Sequence, residues 1–453
     1  MLWRLRTSLL AIVLLACMTC GGTASKPSPH PDSPILCIDG LFDDWHTIDL
    51  IATDSTGDAS GAFDITEVSV TSRGSRLYLR FDTGQTLNLH NGPDSEGTLL
   101  IELGLPTNRR ITIDTRGRKA WLEEGDDHQK RSWTDLNYSI APTIASSEFE
   151  LSMDLSGLGV RIGDMVTIQF GGSDKLDRVV QLVLTEEDVP PIRRSAARQS
   201  STDIRVATLN TWRRGLRDPE RSESIGRLLR AVEADIYMFQ EEPGSTDLDA
   251  VLGRLVPSSN EWHVHQKSEC VIATRWPLTP IPSDSQRFVV AGVELPSGKQ
   301  LIVVSVHLKC CGYADSKEDI TRISQAKRIA DLIGSIGAGY DGIIVIGDFN
   351  LVGSGTTIRV LADPDRAGLK QNILSRLDGQ SVQTWRSLNN GRFPPGRLDT
   401  VMYSPGKLVH QNGFILDTVQ LSQAERQAMD VREMDSRASD HLMLVADFAL
   451  SAQ

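Results

Sequence analysis

Across residues 189–202 the chain changes its rhythm, and that change limits what it can fold into more than any other feature. Before it, over 35–188, apolar residues come in short runs broken by turn residues. The runs 68–71 and 77–81 flank Arg73-Gly74-Ser75 as the arms of a hairpin, and 99–103, 111–114, 149–153, 166–170 and 179–184 continue the series. Helical periodicity is nearly absent there, so the spacing predicts an all-β sandwich. After the break, apolar strands at 205–209, 236–239, 301–307 and 343–346 alternate with amphipathic helices at 220–232 and 320–333. That alternation predicts an α/β domain over 203–450. The break itself, with Pro190-Pro191 and three arginines, reads as a linker.

Other bounds follow. A length of 453 residues with 40% hydrophobic content suits two or three ordinary buried cores. Arg4 and Arg6 precede an apolar run at 9–16, so residues 1–20 read as an export signal too short to span a bilayer. Leu14-Leu15-Ala16-Cys17 is similar to the lipobox of bacterial lipoproteins, with Cys20 a second site. The proline-rich stretch 21–34 then serves as a tether from a membrane. The expected place is the bacterial cell envelope through a lipid anchor, with free secretion as the alternative.

Charge argues against an affinity built on nucleic-acid phosphates. Residues 202–453 hold 28 Lys and Arg against 31 Asp and Glu, a net −3, which leaves −9 of the total −12 to residues 1–201. Neither half carries a basic stripe or base-stacking pattern in its sequence. Beyond the signal, Cys37, Cys270, Cys310 and Cys311 remain, and no Cys/His spacing suggests zinc.

Chemistry is concentrated at strand ends. Asn210 ends 206–209, Gln240 and Glu241 end 236–239, and His307 ends 303–306. Asp348 and Asn350 follow 343–347, Asp399 lies in Arg397-Leu398-Asp399, and Asp440-His441 precede 442–448. Strand ends on one edge of a sheet converge, so these side chains can share one cleft. Each alone reads as a turn or a cap. Six in this order read as a site.

This set closely resembles the endonuclease/exonuclease/phosphatase superfamily, the deoxyribonuclease- and sphingomyelinase-like hydrolases, over 204–450. The resemblance is carried by Thr208-Leu209-Asn210, Gln240-Glu241, Ser305-Val306-His307-Leu308, Gly347-Asp348-Phe349-Asn350, Arg397-Leu398-Asp399 and Ser439-Asp440-His441. It implies a four-layer α-β-β-α sandwich and Mg²⁺-dependent cleavage of a phosphoester, with Mn²⁺ able to substitute. Glu241 rather than Glu242 is then the metal ligand, with Asn210 and Asp440 completing or orienting a mostly hydrated ion. Asp348 orients or deprotonates the attacking water. Asn350 and His307 donate to the phosphoryl oxygens, and His441, held by Asp399, does the same or shuttles a proton.

Two departures stand out. Thr400 replaces the aromatic residue common after the Arg-x-Asp motif, and Cys310-Cys311 follow the histidine strand. The cysteines form a vicinal disulfide, pair with Cys270, or pack as thiols. A structural role is favoured, because a water nucleophile leaves a cysteine no task. His263 and His265 read as surface residues, and Trp212 and Trp385 as core rather than cleft.

In the first half, Ile38-Asp39-Gly40, Asp43-Asp44-Trp45, Asp64-Ile65-Thr66 and Leu77-Tyr78-Leu79-Arg80-Phe81 resemble family-9-type carbohydrate-binding sandwiches. That resemblance implies sugar stacking on Trp121 and Trp133 and a Ca²⁺ held by the Asp cluster. The alternative is a spacer with buried tryptophans. Two functions therefore compete: an exported, monomeric metal-dependent phosphoester hydrolase, phosphodiesterase- or nuclease-like, and a surface-anchored binding protein with a non-catalytic hydrolase scaffold. The complete set of acids, histidines and asparagines favours the hydrolase. Its substrate is a nucleic acid, a phospholipid or a small phosphate ester, with a glycan as a further partner of the sandwich.

Overall fold

A computed structural model describes residues 36–451, apart from 62, 90–96, 117, 187–192, 202, 245–246, 258–260 and 389–390. The signal, Cys17, Cys20 and the tether at 21–34 lie outside the described residues. Among the described residues no helix is long and apolar enough to cross a membrane.

The first half is the all-β sandwich the spacing predicts. One antiparallel sheet runs Leu50–Thr53, Glu67–Arg73, Arg76–Leu87, Ser146–Asp154, Ser139–Ala141. The other runs Val180–Val183, Met165–Gly172, Leu99–Leu105, Arg109–Asp114, Lys119–Glu124, Asp127–Arg131. Strict alternation makes the packing. Leu99, Ile101, Leu103 and Leu105 all turn inward from one strand. They meet a core in which Phe81 lies 5.8 Å from Phe149 and 5.3 Å from Phe170 between ring centroids. Arg73 and Arg76 pair across the expected hairpin, closed by Gly74 at φ +56°. The strand Asp127–Arg131 escaped sequence reading because DHQKR holds no apolar residue. It is an edge strand and almost wholly exposed.

The second half is the four-layer α/β sandwich. Its first sheet runs His263–Lys267, Cys270–Thr274, Ile236–Gln240, Ile204–Asn210, Met443–Leu450, Leu408–Leu416. Its second runs Leu278–Ile281, Phe288–Glu294, Gln300–His307, Gly342–Asp348, Asp399–Tyr403, Lys370–Asn372. Each sheet contains one parallel pair, Ile204–Asn210 with Ile236–Gln240 and Gln300–His307 with Gly342–Asp348. A parallel pair needs a crossover, and the helices Ser222–Val232 and Lys317–Ile336 supply it. Val206, Met238, Val303 and Ile346 pack between the sheets. Ile225 and Leu229 cover the outer face of one sheet, and Ile329 and Ile333 that of the other. Strands covered on both faces read as continuous apolar runs, which is why they were legible.

Residues 193–201 do not run free between the halves. Arg193 pairs with Glu425 at 2.7 Å, Arg194 donates to the Ser375 hydroxyl at 2.7 Å, and Arg198 pairs with Asp235 at 2.7 Å. The two halves also meet through main-chain groups. Ile38 N–H donates to the Gln380 carbonyl at 3.0 Å and Ala145 N–H to the Gly353 carbonyl at 2.9 Å. Asn88 spans the seam, donating to the Val352 carbonyl at 3.0 Å and accepting from Ala314 N–H at 2.6 Å.

Candidate active site

The two parallel pairs bring their polar ends to one edge. Register places Asn210 beside Gln240 in one sheet, and His307 beside Asp348 with Asp399 on its other side in the second. Gly347 makes the approach possible. Its φ is +142°, and a Cβ there would lie 2.4 Å from the Val306 carbonyl oxygen. Glu241 and Asn350 take left-handed backbone, at φ +62° and +50°. A bulky side chain adopts that conformation only where its surroundings enforce it, and such residues gather at functional sites.

Asp348 is the hub. It is 2% exposed, and its Oδ1 accepts from Asn350 N–H at 2.9 Å. Its Oδ2 accepts from Asn210 Nδ2 at 3.2 Å and faces His307 Nε2 at 3.5 Å and His441 Nε2 at 3.7 Å. Asn210 also donates to Glu241 Oε1 at 3.2 Å, while Glu241 Oε2 accepts from Arg213 N–H at 2.9 Å. Asn350 lines the cleft with its amide set by a 3.1 Å bond from Nδ2 to the Leu308 carbonyl. The structure thus brings all eight sequence-predicted residues together. Glu242 is elsewhere, fully buried and accepting from the Thr211 hydroxyl and Leu216 N–H.

The surroundings of both histidines favour the charged ring. Burial pushes His441 down, but the carboxylates of Asp399 and Asp348 override it and lift the ring to about 10. Its Nδ1 lies 2.8 Å from Asp399 Oδ2. Burial likewise opposes the charge on His307, and a contact at 3.0 Å with Glu269 together with the Asp348 charge raises it. Glu269 is correspondingly lowered, first by that hydrogen bond.

The cleft these residues line has a volume of about 340 Å³. Sequence reasoning missed residues that line it and one, Glu269, that braces His307 from behind. Glu269 sits in the turn between His263–Lys267 and Cys270–Thr274, so no strand-end signature marks it. Trp385 is half-buried at the cleft rather than core as expected, and its indole donates to Asp440 Oδ2 at 3.2 Å. Trp212 is half-buried too, with the Arg221 guanidinium 5.0 Å from its ring. His263 is exposed and His265 half-buried. Thr143 reaches the cleft from the other half of the chain, and its hydroxyl accepts from Arg397 N–H at 2.9 Å.

Of the three arrangements open to the vicinal cysteines, the structure has the unbridged thiols. They line the cleft as free thiols, with Sγ atoms 2.9 Å apart, and Cys270 is a separate, buried free thiol. The Cys311 hydrogen bond lowers Cys310 to about 6, against burial and with help from Lys309. In the sandwich, Trp133 is 6% exposed and packs on Tyr138, so its ring is closed to a sugar. Asp39 and Asp44 accept from nearby main-chain N–H groups; Asp54, Asp58 and Asp174 are the carboxylates that converge there, within 4.8 Å.

A divalent metal fits the donor set. Asp440 Oδ1 is buried at the cleft with no hydrogen-bond partner, and burial raises that carboxyl. An orphaned buried acceptor beside the Glu241 carboxylate and the Asn210 amide is a hard-oxygen constellation. Asp348, Asp399 and His441 also offer ligand atoms within 4.8 Å of one another. There the His441 ring lies 2.8 Å from Asp399 through Nδ1 and 3.7 Å from Asp348 through Nε2.

The sequence pattern of the Endonuclease/Exonuclease/phosphatase family matches residues 207–441, more than half of the chain. Solved structures are similar to the same half. The human Nocturnin catalytic domain with bound sulfate is 21% identical, with 58% of this chain and 100% of that one covered and a TM-score of 0.40. The Neisseria 3' phosphatase NExo bound to product DNA hairpin is 19% identical, covering 54% and 99%, with a TM-score of 0.39. The endonuclease/exonuclease/phosphatase from Beutenbergia cavernae is 18% identical, covering 55% and 72%, with a TM-score of 0.38. No curated protein matches. On its sequence match and on the side chains gathered around Asp348, this chain belongs to the endonuclease/exonuclease/phosphatase family, whose members are phosphoester hydrolases.

Proposed function

We propose that this protein is an exported phosphodiesterase that splits its substrate by attack of a water molecule with the help of Mg²⁺ or Mn²⁺. The observation that carries this reading is the crowding of one buried carboxylate, Asp348, by Asn210, His307 and His441 within 3.2–3.7 Å, beside the unpartnered Asp440 oxygen. Glu241, Asp440 and Asn210 would hold the metal, which supplies charge neutralisation at the phosphoryl oxygens. Asp348 takes the proton of the attacking water. The His307 and His441 cations face the developing negative charge, and Asp399 fixes the His441 ring. A non-catalytic scaffold has no use for two histidines and an asparagine gathered on one buried carboxylate. The basic start, the apolar run at 9–16 and Cys17 support export and lipid anchoring.

The test is hydrolysis of bis(p-nitrophenyl) phosphate by the purified protein. Activity is expected with Mg²⁺ or Mn²⁺, lost in EDTA and restored on adding either ion. Full turnover in chelator, or rescue by Zn²⁺ alone, would overturn the reading. Export is checked separately by mass spectrometry of the mature N-terminus, where an unmodified, soluble end would leave plain secretion.

A further inference from the structure

The hairpin formed by Lys119–Glu124 and Asp127–Arg131 carries a feature that neither strand announces alone. Its register sets Trp121 opposite Lys130 and Glu123 opposite His128. Side chains alternate across a strand, so Lys119, Trp121, His128 and Lys130 share one face while Ala120 and Leu122 enter the core. With Arg118 and, from the catalytic half, Arg392, they line a pocket of about 650 Å³. No carboxylate among the described residues lines it, although this half of the chain is the acidic one. Of the acids on that face, Asp114 stands opposite Lys119 in the next strand, and Glu123 is already engaged. It pairs with Arg110 at 2.6 Å and accepts from the Trp121 indole N–H at 2.9 Å.

This pocket borders the catalytic cleft. Arg392 lines the pocket and the next residue, Phe393, lines the cleft. The Arg118 guanidinium lies 4.0 Å from the centroid of the Phe393 ring, and the Trp133 indole N–H donates to the Arg392 carbonyl at 3.3 Å. The sandwich therefore holds the stretch that separates pocket from cleft. Phe393 itself is 41% exposed and offers an aromatic surface between the two.

Cations around a half-buried tryptophan, joined by an exposed aromatic residue to a diester-cleaving cleft, match a polyanion that carries planar rings. On the phosphodiesterase reading, we propose that the pocket is a second anion-binding subsite that takes the phosphates and bases of a single nucleic-acid strand whose scissile diester lies in the cleft. Phosphates meet Lys119, Lys130, Arg118 and Arg392, and a base stacks on Trp121. A lipid surface fits less well. The pocket is concave, and its one large aromatic ring is half-buried with its indole N–H tied to Glu123.

Three versions of the full chain test this: wild type, Trp121→Ala, and the double charge reversal Lys119→Glu/Lys130→Glu. All three should melt alike, since the changed side chains lie on the exposed face. Bis(p-nitrophenyl) phosphate reaches only the cleft, so its kcat/KM should stay within about twofold. For a single-stranded 12-mer, kcat/KM should fall roughly tenfold or more through KM, and the charge reversal should flatten the salt dependence of binding. Fluorescence anisotropy with the labelled 12-mer in EDTA measures binding without turnover and should show the same ranking. Equal losses on both substrates, or an unchanged 12-mer, would overturn the subsite. So would variants that lose only cosedimentation with phosphatidylglycerol vesicles, which would assign the pocket to lipid. Wild-type protein that binds the 12-mer through Trp121 but hydrolyses neither substrate would sink the phosphodiesterase reading and leave the pocket as a strand-binding site.

Discussion

The Nδ1 of His441 lies 2.8 Å from the Oδ2 of Asp399, with both side chains almost wholly buried. A charged ring in that setting depends on its carboxylate, so the two act as one device. His441→Ala and Asp399→Asn should each lower kcat by about 10²–10³ with melts near wild type. Combining them should cost little more than the worse single change. Additive losses would mean that Asp399 serves the fold alone.

Gly347 precedes the hub aspartate in a conformation and a space that exclude a side chain. Gly347→Ala would put a methyl group 2.4 Å from the Val306 carbonyl oxygen at φ +142°. Main chain cannot swing aside, so the variant should lose about 1–3 kcal/mol of stability and misplace Asp348. Thermal denaturation and turnover measured together check this. An unchanged melt with full activity would refute it.

Cys310 should behave as a thiolate at neutral pH. With its pKa lowered to about 6, chiefly by the Cys311 hydrogen bond, the thiolate is present above that pH and lost below it. Iodoacetamide labelling followed by mass spectrometry should therefore rise through about pH 6 and level off, whereas an ordinary thiol still climbs near 8.5. Cys311→Ala should move the midpoint upward. A Cys310 midpoint near 8.5 in the unaltered protein would dispose of the idea.

Arg205 and Asp447 form a two-pronged ion pair, at 2.6 and 2.7 Å, between neighbouring strands of the first catalytic sheet. Their side chains are 4% and 1% exposed. Arg205→Ala leaves a buried charge unpaired and should cost about 3–5 kcal/mol in urea unfolding. Arg205→Met/Asp447→Leu should recover most of that loss. A double variant no more stable than the single one would show that packing, not the stranded charge, sets the cost.

Much of the catalytic half was legible because buried strands in a layered sheet are apolar to their tips. Asn210, His307 and Asp348 therefore stood out against their own strands. Glu269 did not, because it lies in a turn where an acid is ordinary. Thr143 belongs to the cleft only through the docking of one half on the other, which no local pattern encodes. The basic pocket was hidden for a related reason. Lys119 and Trp121 are separated from His128 and Lys130 by an acidic turn, and only the pairing of the two strands brings them onto one face. Trp385 was misjudged because an aromatic residue's fraction of exposure follows from its neighbours rather than its type.

The seam at Asn88, Thr143 and Ala145 bears on inheritance. Beads on a string can be exchanged by recombination at the string, and residues 189–202 offer what looks like such a place. Here the hydrolase half borrows part of its cleft wall, and the N–H donors to its Gly353 and Gln380 carbonyls, from the sandwich. A new neighbour spliced in at 189–202 would leave those carbonyls and Arg397 N–H without their partners. A cut at that point would therefore divide one site, not separate two modules.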